Sequence, residues 1–251
     1  MPIHNTAARW LLAFESSTPN GGAALLRNGE TAGVVRLAEG LRHGRDLMPA
    51  AAELLEGAGL SPADLWAVSV SAGPGSYTGA RVGVMSAKAL AYGCDCLLAG
   101  VSSLAALAAT LGLANGADEG DLVMTVQDAR RDEVYAGVYR LENGDAVRMT
   151  PDAALAPEEA AERLAAILEQ GRTPRLIGSG FATYRDLFAK YVSVDDAAVG
   201  IVNPEAVGRL GWRQLLREES ADPLLLQPVY LRRDADADWR RDWLIDPTVK
   251  H

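Results

Sequence analysis

The sequence predicts an α/β protein of two subdomains, each a mixed sheet with helices packed on it. Three observations carry that expectation. Short apolar runs of strand length recur from residue 10 onward, each closed by turn-forming residues. From about residue 45 these runs alternate with stretches whose apolar residues repeat at helical spacing. The 251 residues are 49% hydrophobic, enough for a sizeable core, and 25 glycines against 6% aromatics suit tight turns and close helix–sheet packing.

The elements follow in order. Residues 10–14, Trp-Leu-Leu-Ala-Phe, form a continuous apolar run closed by Glu15-Ser16-Ser17-Thr18-Pro19-Asn20-Gly21. A second run from Gly22 to Leu26 meets Asn28-Gly29, a strong hairpin signal, and a third extends from Thr31 to Leu37. The chain therefore starts as a three-stranded antiparallel meander. A helix is expected from Arg45 to Ala58, where Leu47, Met48, Ala51, Leu54 and Leu55 recur and Gly57 and Gly59 mark the end. Ser61-Pro62-Ala63-Asp64 reads as a short helical turn and Trp66–Val70 as a strand. A helix from Ala80 to Tyr92, a strand from Leu97 to Val101 and a helix from about Leu104 complete the first half. That order is half of an actin-like domain.

The stretch Gly112–Gly120, rich in Gly, Asn and Asp, is the expected boundary. Beyond it, Leu122–Val126 pairs with Glu133–Leu141, Arg175–Ile177 is a short strand, and helices are expected over 157–170, 181–190 and 204–217. The organisation read from the sequence is thus 1–111 as an N-terminal subdomain with partner-binding helices, 112–231 as a C-terminal subdomain, and 232–251 as a charged tail.

The formal net charge is −9. Gripping a phosphate backbone takes a basic face. Here Arg130–Arg131, Arg232–Arg233 and Arg240–Arg241 each lie among acids and read as solvated surface. Any RNA would be held mainly by a partner. Cys94 and Cys96 are the only cysteines, too close for a useful disulfide and without companion ligands for zinc. With no signal peptide and no bilayer-length apolar run, a reducing cytoplasmic setting is expected.

Gly73-Pro74-Gly75-Ser76-Tyr77-Thr78-Gly79 lies between a strand and a helix, where backbone N–H groups and the helix dipole can hold an anion. It is not a P-loop, because Ala80 and Arg81 follow where Lys is needed. Its spacing also differs from the dinucleotide fingerprint, and the next strand ends in Gly100-Val101-Ser102-Ser103 with no acid for a ribose. Glycines placed for close helix–sheet packing are the plain alternative. The helix that follows has only Arg81, Ser86 and Lys88 as polar breaks, so more than one of its sides should be covered. Either a partner covers an exposed patch that includes Leu47, Met48 and Ala51, or the helix is buried within the fold.

The segment from Ala72 to Gly83 resembles the hallmark G-P-G-S-[FY]-T-G-[VL]-R-[IV]-G of the TsaB (YeaZ) family. Glu15-Ser16-Ser17-Thr18 is similar to that family's D-T-S-T, and His43 with Leu47, Met48 and Pro49 to its H-S-x-x-L-L-P. Gly100–Leu104, Asp128–Tyr135 (the family's D-A-R-x-x-E-V-Y) and Pro228–Arg232 (P-x-Y-L-R) continue the likeness to residue 232. Glu15 departs from the usual Asp and resembles the E-T-S of the catalytic paralogue TsaD. The resemblance implies an actin-like (ASKHA, ribonuclease H-like) fold of two subdomains. It further implies a non-catalytic scaffold, without cofactor, in the formation of N6-threonylcarbamoyladenosine at tRNA position 37. Its partners would be TsaD, which carries the transferase chemistry, and the ATPase TsaE, with tRNA met only through the complex; alone, the chain could form a homodimer.

On this reading His43, Leu47, Met48, Ala51, Arg81, Met85 and Lys88 are candidates for the partner interface. Glu15, Ser16, Ser17, Thr18, Gly73, Gly75, Ser76, Thr78 and Gly79 are candidates for a vestigial phosphate loop. The competing expectation is an actin-like ATPase or a threonylcarbamoyl transferase in its own right. Against it, the three histidines His4, His43 and His251 cannot form the paralogue's H-x-x-x-H pair. Gln127-Asp128-Ala129-Arg130 also stands where a second glycine-rich phosphate turn would be needed. Asp128 with Glu133 reads as a charged hairpin at a strand end.

Overall fold

The structure is a computed structural model that describes residues 8–38, 43–114, 117–192 and 200–231. The tail over 232–251, with its arginine pairs, and His4 and His251 lie outside the described residues.

The meander is present as β1 (Trp10–Glu15), β2 (Gly22–Arg27) and β3 (Glu30–Arg36), paired antiparallel in turn. Asn28 takes a left-handed φ of 53° in the β2–β3 turn, where the Asn-Gly pair was expected to reverse the chain. Helix α1 (His43–Gly57), a 3-10 turn at Pro62–Asp64, β4 (Leu65–Gly73), α2 (Tyr77–Cys94) and β5 (Leu97–Ser102) follow. The sheet order is β3-β2-β1-β4-β5, with β4 parallel to β1.

Both faces of this sheet are covered, which explains why β1 reads as an unbroken apolar run rather than an alternation. One face carries Leu12, Phe14, Ala23, Leu25, Val68 and Val70, packed on Leu47, Ala51 and Leu55 of α1 and Val84, Ala87 and Ala91 of α2. Each fully buried Leu or Phe there contributes roughly 2 kcal/mol by removal from water. The opposite face receives α7 (Pro204–Leu216). Gly208 sits against Leu26 and Ala13, and Gly211 against Ser69, so closely that a Cβ at either position would overlap them.

The second sheet, order β10-β6-β7-β8, comprises β6 (Leu122–Arg130), β7 (Glu133–Glu142), β8 (Asp145–Arg148) and β10 (Arg175–Ile177), with β9 (Ala153–Leu155) paired to β7. Its core joins Met124, Val126, Val134, Ala136 and Val138 to α4 (Pro157–Glu169), α5 (Ser179–Thr183) and α6 (Arg185–Phe188). Helix α3 (Ser103–Leu113) packs on the face bearing Leu141.

By its contacts the chain forms two compact units, and they are not contiguous in sequence. The first gathers 1–72, 76–101 and 203–228; the second gathers 73–75, 102–202 and 229–251. This differs from the division at 111/112. Helix α3 is apolar nearly all round and buries itself on the second sheet, while α7 returns to cover the first.

Candidate functional site: the head and outer face of helix α2

Helix α2 starts three residues before the expected Ala80. Ser76 is its N-cap, its hydroxyl accepting from the Gly79 N–H at 3.2 Å, so Tyr77 and Thr78 are already helical. The β1–β2 turn lies directly against this helix head. Ser76 N–H donates to the Ser17 carbonyl (2.7 Å), and the Ser16 hydroxyl donates to the Gly79 carbonyl (2.8 Å). A side chain at Gly79 would overlap the Ser16 carbonyl, and one at Gly83 the Ser16 hydroxyl. The glycines are therefore explained by close approach, as the packing alternative holds, and the helix head spends Ser76 and Gly79 N–H groups on its own chain. Gly73 and Gly75 belong to the second unit; Gly73 has φ 113° and leaves no room for a Cβ beside the Val229 carbonyl.

Behind the turn, Glu15 is wholly buried. Its Oε1 accepts from the Ser17 hydroxyl (2.8 Å), the Thr18 N–H (2.9 Å) and the Thr18 hydroxyl (3.1 Å). Ser71 lies on the other side, close enough to favour the anion, though neither Glu15 Oε2 nor Ser71 Oγ closes a well-formed hydrogen bond. Burial outweighs these donors and holds the carboxyl above its ordinary value of 4.5. Ser16, Ser17 and Thr18 are buried with it, so the cluster is a turn-forming one, as hydroxyls in a β-turn usually are. The sequence carried a signal for this: an acid ending an apolar run with hydroxyls two and three residues on supplies the donors that a buried carboxylate requires.

The outer face of α2 is a different surface. Tyr77 (56% exposed), Arg81, Met85 (60%) and Tyr92 (70%) form a stripe at spacings of one or two turns, with Met48 of α1 (44%) also exposed. Arg81 stacks on the Tyr77 ring at 4.0 Å. Two interface candidates prove to be core instead. Leu47 (1%) and Ala51 (2%) are one turn apart on the side of α1 that faces the sheet, which leaves Met48 outward. The Lys88 ammonium is engaged by its own chain, donating to the carbonyls of Leu224 (3.2 Å) and Leu226 (2.9 Å). His43 opens α1, and its side chain lies outside the described residues. Sequence reasoning missed Tyr77 and Tyr92, which their places one turn before Arg81 and two turns after Met85 could have signalled.

A model for the family described as TsaD, tRNA N6-adenosine threonylcarbamoyltransferase, matches residues 28–232. The tRNA threonylcarbamoyladenosine biosynthesis protein TsaB of Bacillus subtilis (strain 168) is 32% identical, over 91% of this chain and 97% of its own length. The protein of the same name from Escherichia coli (strain K12) is also 32% identical, over 89% of this chain and 95% of its own. The chain belongs to the TsaB (YeaZ) family. The solved structure of YeaZ from Pseudomonas aeruginosa agrees, with a TM-score of 0.76 at 26% identity over 89% of this chain and 100% of that one. The TsaB-family fold is actin-like, as the element order predicted, and it accounts for two mixed sheets each flanked by helices.

Elsewhere in this TsaB-family chain the remaining sequence candidates are modest. Asp128 and Glu133 flank the β6–β7 hairpin, and three consecutive residues, Arg130, Arg131 and Asp132, take left-handed φ angles there. The Asp128 carboxylate accepts from the Arg130 N–H at 2.9 Å, which makes it a turn-former. Burial pushes the Cys96 thiol up to about 11, away from the thiolate a metal would need. Among the described residues, no cluster of His, Cys, Asp and Glu is suited to a metal, and no helix is long and apolar enough to cross a membrane.

Proposed function

We propose that this chain is a non-catalytic scaffold that pairs with a TsaD-type transferase in forming N6-threonylcarbamoyladenosine at position 37 of tRNA. The observation that carries the reading is the outer face of α2. Two tyrosines and a methionine stand exposed along one helix whose other side is locked into the sheet, a pattern that favours a protein partner over solvent. Membership of the TsaB family supplies the pathway. The head of α2 fits a non-catalytic role, since the Ser76 and Gly79 N–H groups are engaged by the chain itself. A TsaE-type ATPase would join the pair, tRNA would be met through the complex, the setting would be cytoplasmic, and the same stripe could give a homodimer when the partner is missing.

The test is co-purification of the chain with its cognate TsaD-type paralogue, sized in solution. A one-to-one complex that replaces any homodimer supports the scaffold, and Met85→Glu should weaken it at least tenfold while the monomer stays folded. The alternative is a transferase or ATPase in its own right, favoured by the catalytic description of the matching family model. It predicts nucleotide turnover by the purified chain alone, lost in Glu15→Gln. No complex at concentrations well above micromolar, together with such turnover, would overturn the scaffold.

A further inference from the structure

Beyond the end of the α2 stripe lies a second feature, built entirely within the first unit. After α7 the chain returns across β5: the Ala221 N–H donates to the Leu98 carbonyl (2.8 Å), and the Ser220 hydroxyl meets both the Leu98 N–H and its carbonyl (3.3 Å each). An Asx turn follows, in which the Asp222 carboxylate accepts from the Leu224 N–H at 2.7 Å. Lys88 then fastens the segment from the α2 side through the carbonyls of Leu224 and Leu226, and the Leu226 side chain fills the space left open by Gly100. Held in this way, the segment stands off the end of α2 and leaves a groove of about 650 Å³.

The groove has a definite chemistry. Tyr92, Leu97, Pro223 and Leu224 supply apolar surface, and the charged residues lining it are both acidic, Asp95 and Asp222. Tyr92 is shared between the stripe and the groove, so the two surfaces are continuous. Leu224 is exposed despite the effort spent in fixing its backbone. An apolar cleft with an anionic rim complements an apolar side chain carried beside Lys or Arg.

We infer that this groove receives a basic, apolar segment of the same protein partner that docks on the α2 stripe. The inference rests on the partner reading given above. It adds the chemistry of the partner's contacting segment: one apolar side chain seated on Tyr92 and Leu224, flanked by cationic groups facing Asp95 and Asp222.

The experiment measures binding of the full-length chain to the purified TsaD-type paralogue across a range of NaCl concentrations. Asp95→Asn combined with Asp222→Asn removes both charges while keeping a residue suited to the left-handed φ of 51° at position 95 and an acceptor for the Asx turn. At low salt the double variant should bind about tenfold more weakly, with a flatter salt dependence, because exposed charge pairs act through a screened field. Leu224→Glu should weaken binding by about tenfold or more, as loss of a central apolar anchor does. If both bind like the unaltered protein while Met85→Glu does not, the groove is untouched by the partner; the inference falls and the scaffold stands. If only Leu224→Glu weakens binding, the contact is apolar without the basic flank, and the inference as stated is wrong. If the unaltered chain does not bind, the scaffold reading fails and takes the groove with it.

Discussion

The two sides of helix α2 are made of similar residues and obey opposite rules. On the inner side Gly79, Gly83, Val84, Ala87 and Ala91 are chosen for size, because the β1–β2 turn and the sheet come within contact distance of the backbone. On the outer side Tyr77, Met85 and Tyr92 are large and mostly exposed. Composition alone marks both as apolar. The difference lies in volume: small residues report a neighbour that belongs to the chain, and under the proposed function the large exposed ones are where a partner would sit.

The strongest way to break this contrast is to enlarge the inner side. Gly79→Ala should cost about 3 kcal/mol or more, since the new methyl meets a backbone carbonyl that cannot swing away; a urea midpoint unchanged from the unaltered chain would refute the close-packing account. Leu47→Ala, a neighbour in the same core, should cost about 3 kcal/mol through lost burial and a cavity, whereas the interface role first assigned to it would leave stability nearly untouched. Ser16→Ala should cost about 1 kcal/mol by releasing the Gly79 carbonyl.

Glu15 gives a pH signature. Its pKa is raised in the folded state, so the native chain holds this proton more tightly than the unfolded chain does. Its contribution to stability is complete below the unfolded value of 4.5 and is lost as pH rises through the raised folded value. Glu15→Gln should remove that decline, so urea midpoints of the two proteins should diverge in favour of the variant as the pH is raised from 4.5. Smallest of all, Met85→Glu should shift stability by less than about 0.5 kcal/mol, because its side chain lies mainly in water. A large loss of stability there would erase the distinction between the two sides.

Much of the architecture was legible because local chemistry and tertiary role agree. The meander follows from apolar runs and Asn28-Gly29, and β10 falls at Arg175–Ile177 as expected. Strand β8 was missed although Asn143-Gly144 repeats the same turn signal, with φ 52° at Asn143. The head of α2 was placed late because Gly-Ser-Tyr-Thr-Gly reads as loop until the Ser76 cap is seen. Leu47 and Ala51 went to the wrong side because helical spacing defines a stripe without saying what faces it. The division into units was invisible for a related reason: α3 is apolar nearly all round and α7 has an apolar face, and only the tertiary fold says which sheet each one serves.

The return of α7 to the first sheet has a consequence for the order of synthesis. As the chain emerges from the ribosome, β1, β2, α1, β4 and α2 are complete long before residues 203–228 exist. Until then the sheet face bearing Ala13, Leu26 and Ser69 lacks the cover of α7, and residues 102–202 of the second unit must be made before it is closed. The first unit is thus closed only after most of the second has been synthesised. Its contacts span most of the length of the chain, which slows folding and exposes an apolar sheet face to chaperones or misassociation in the interval.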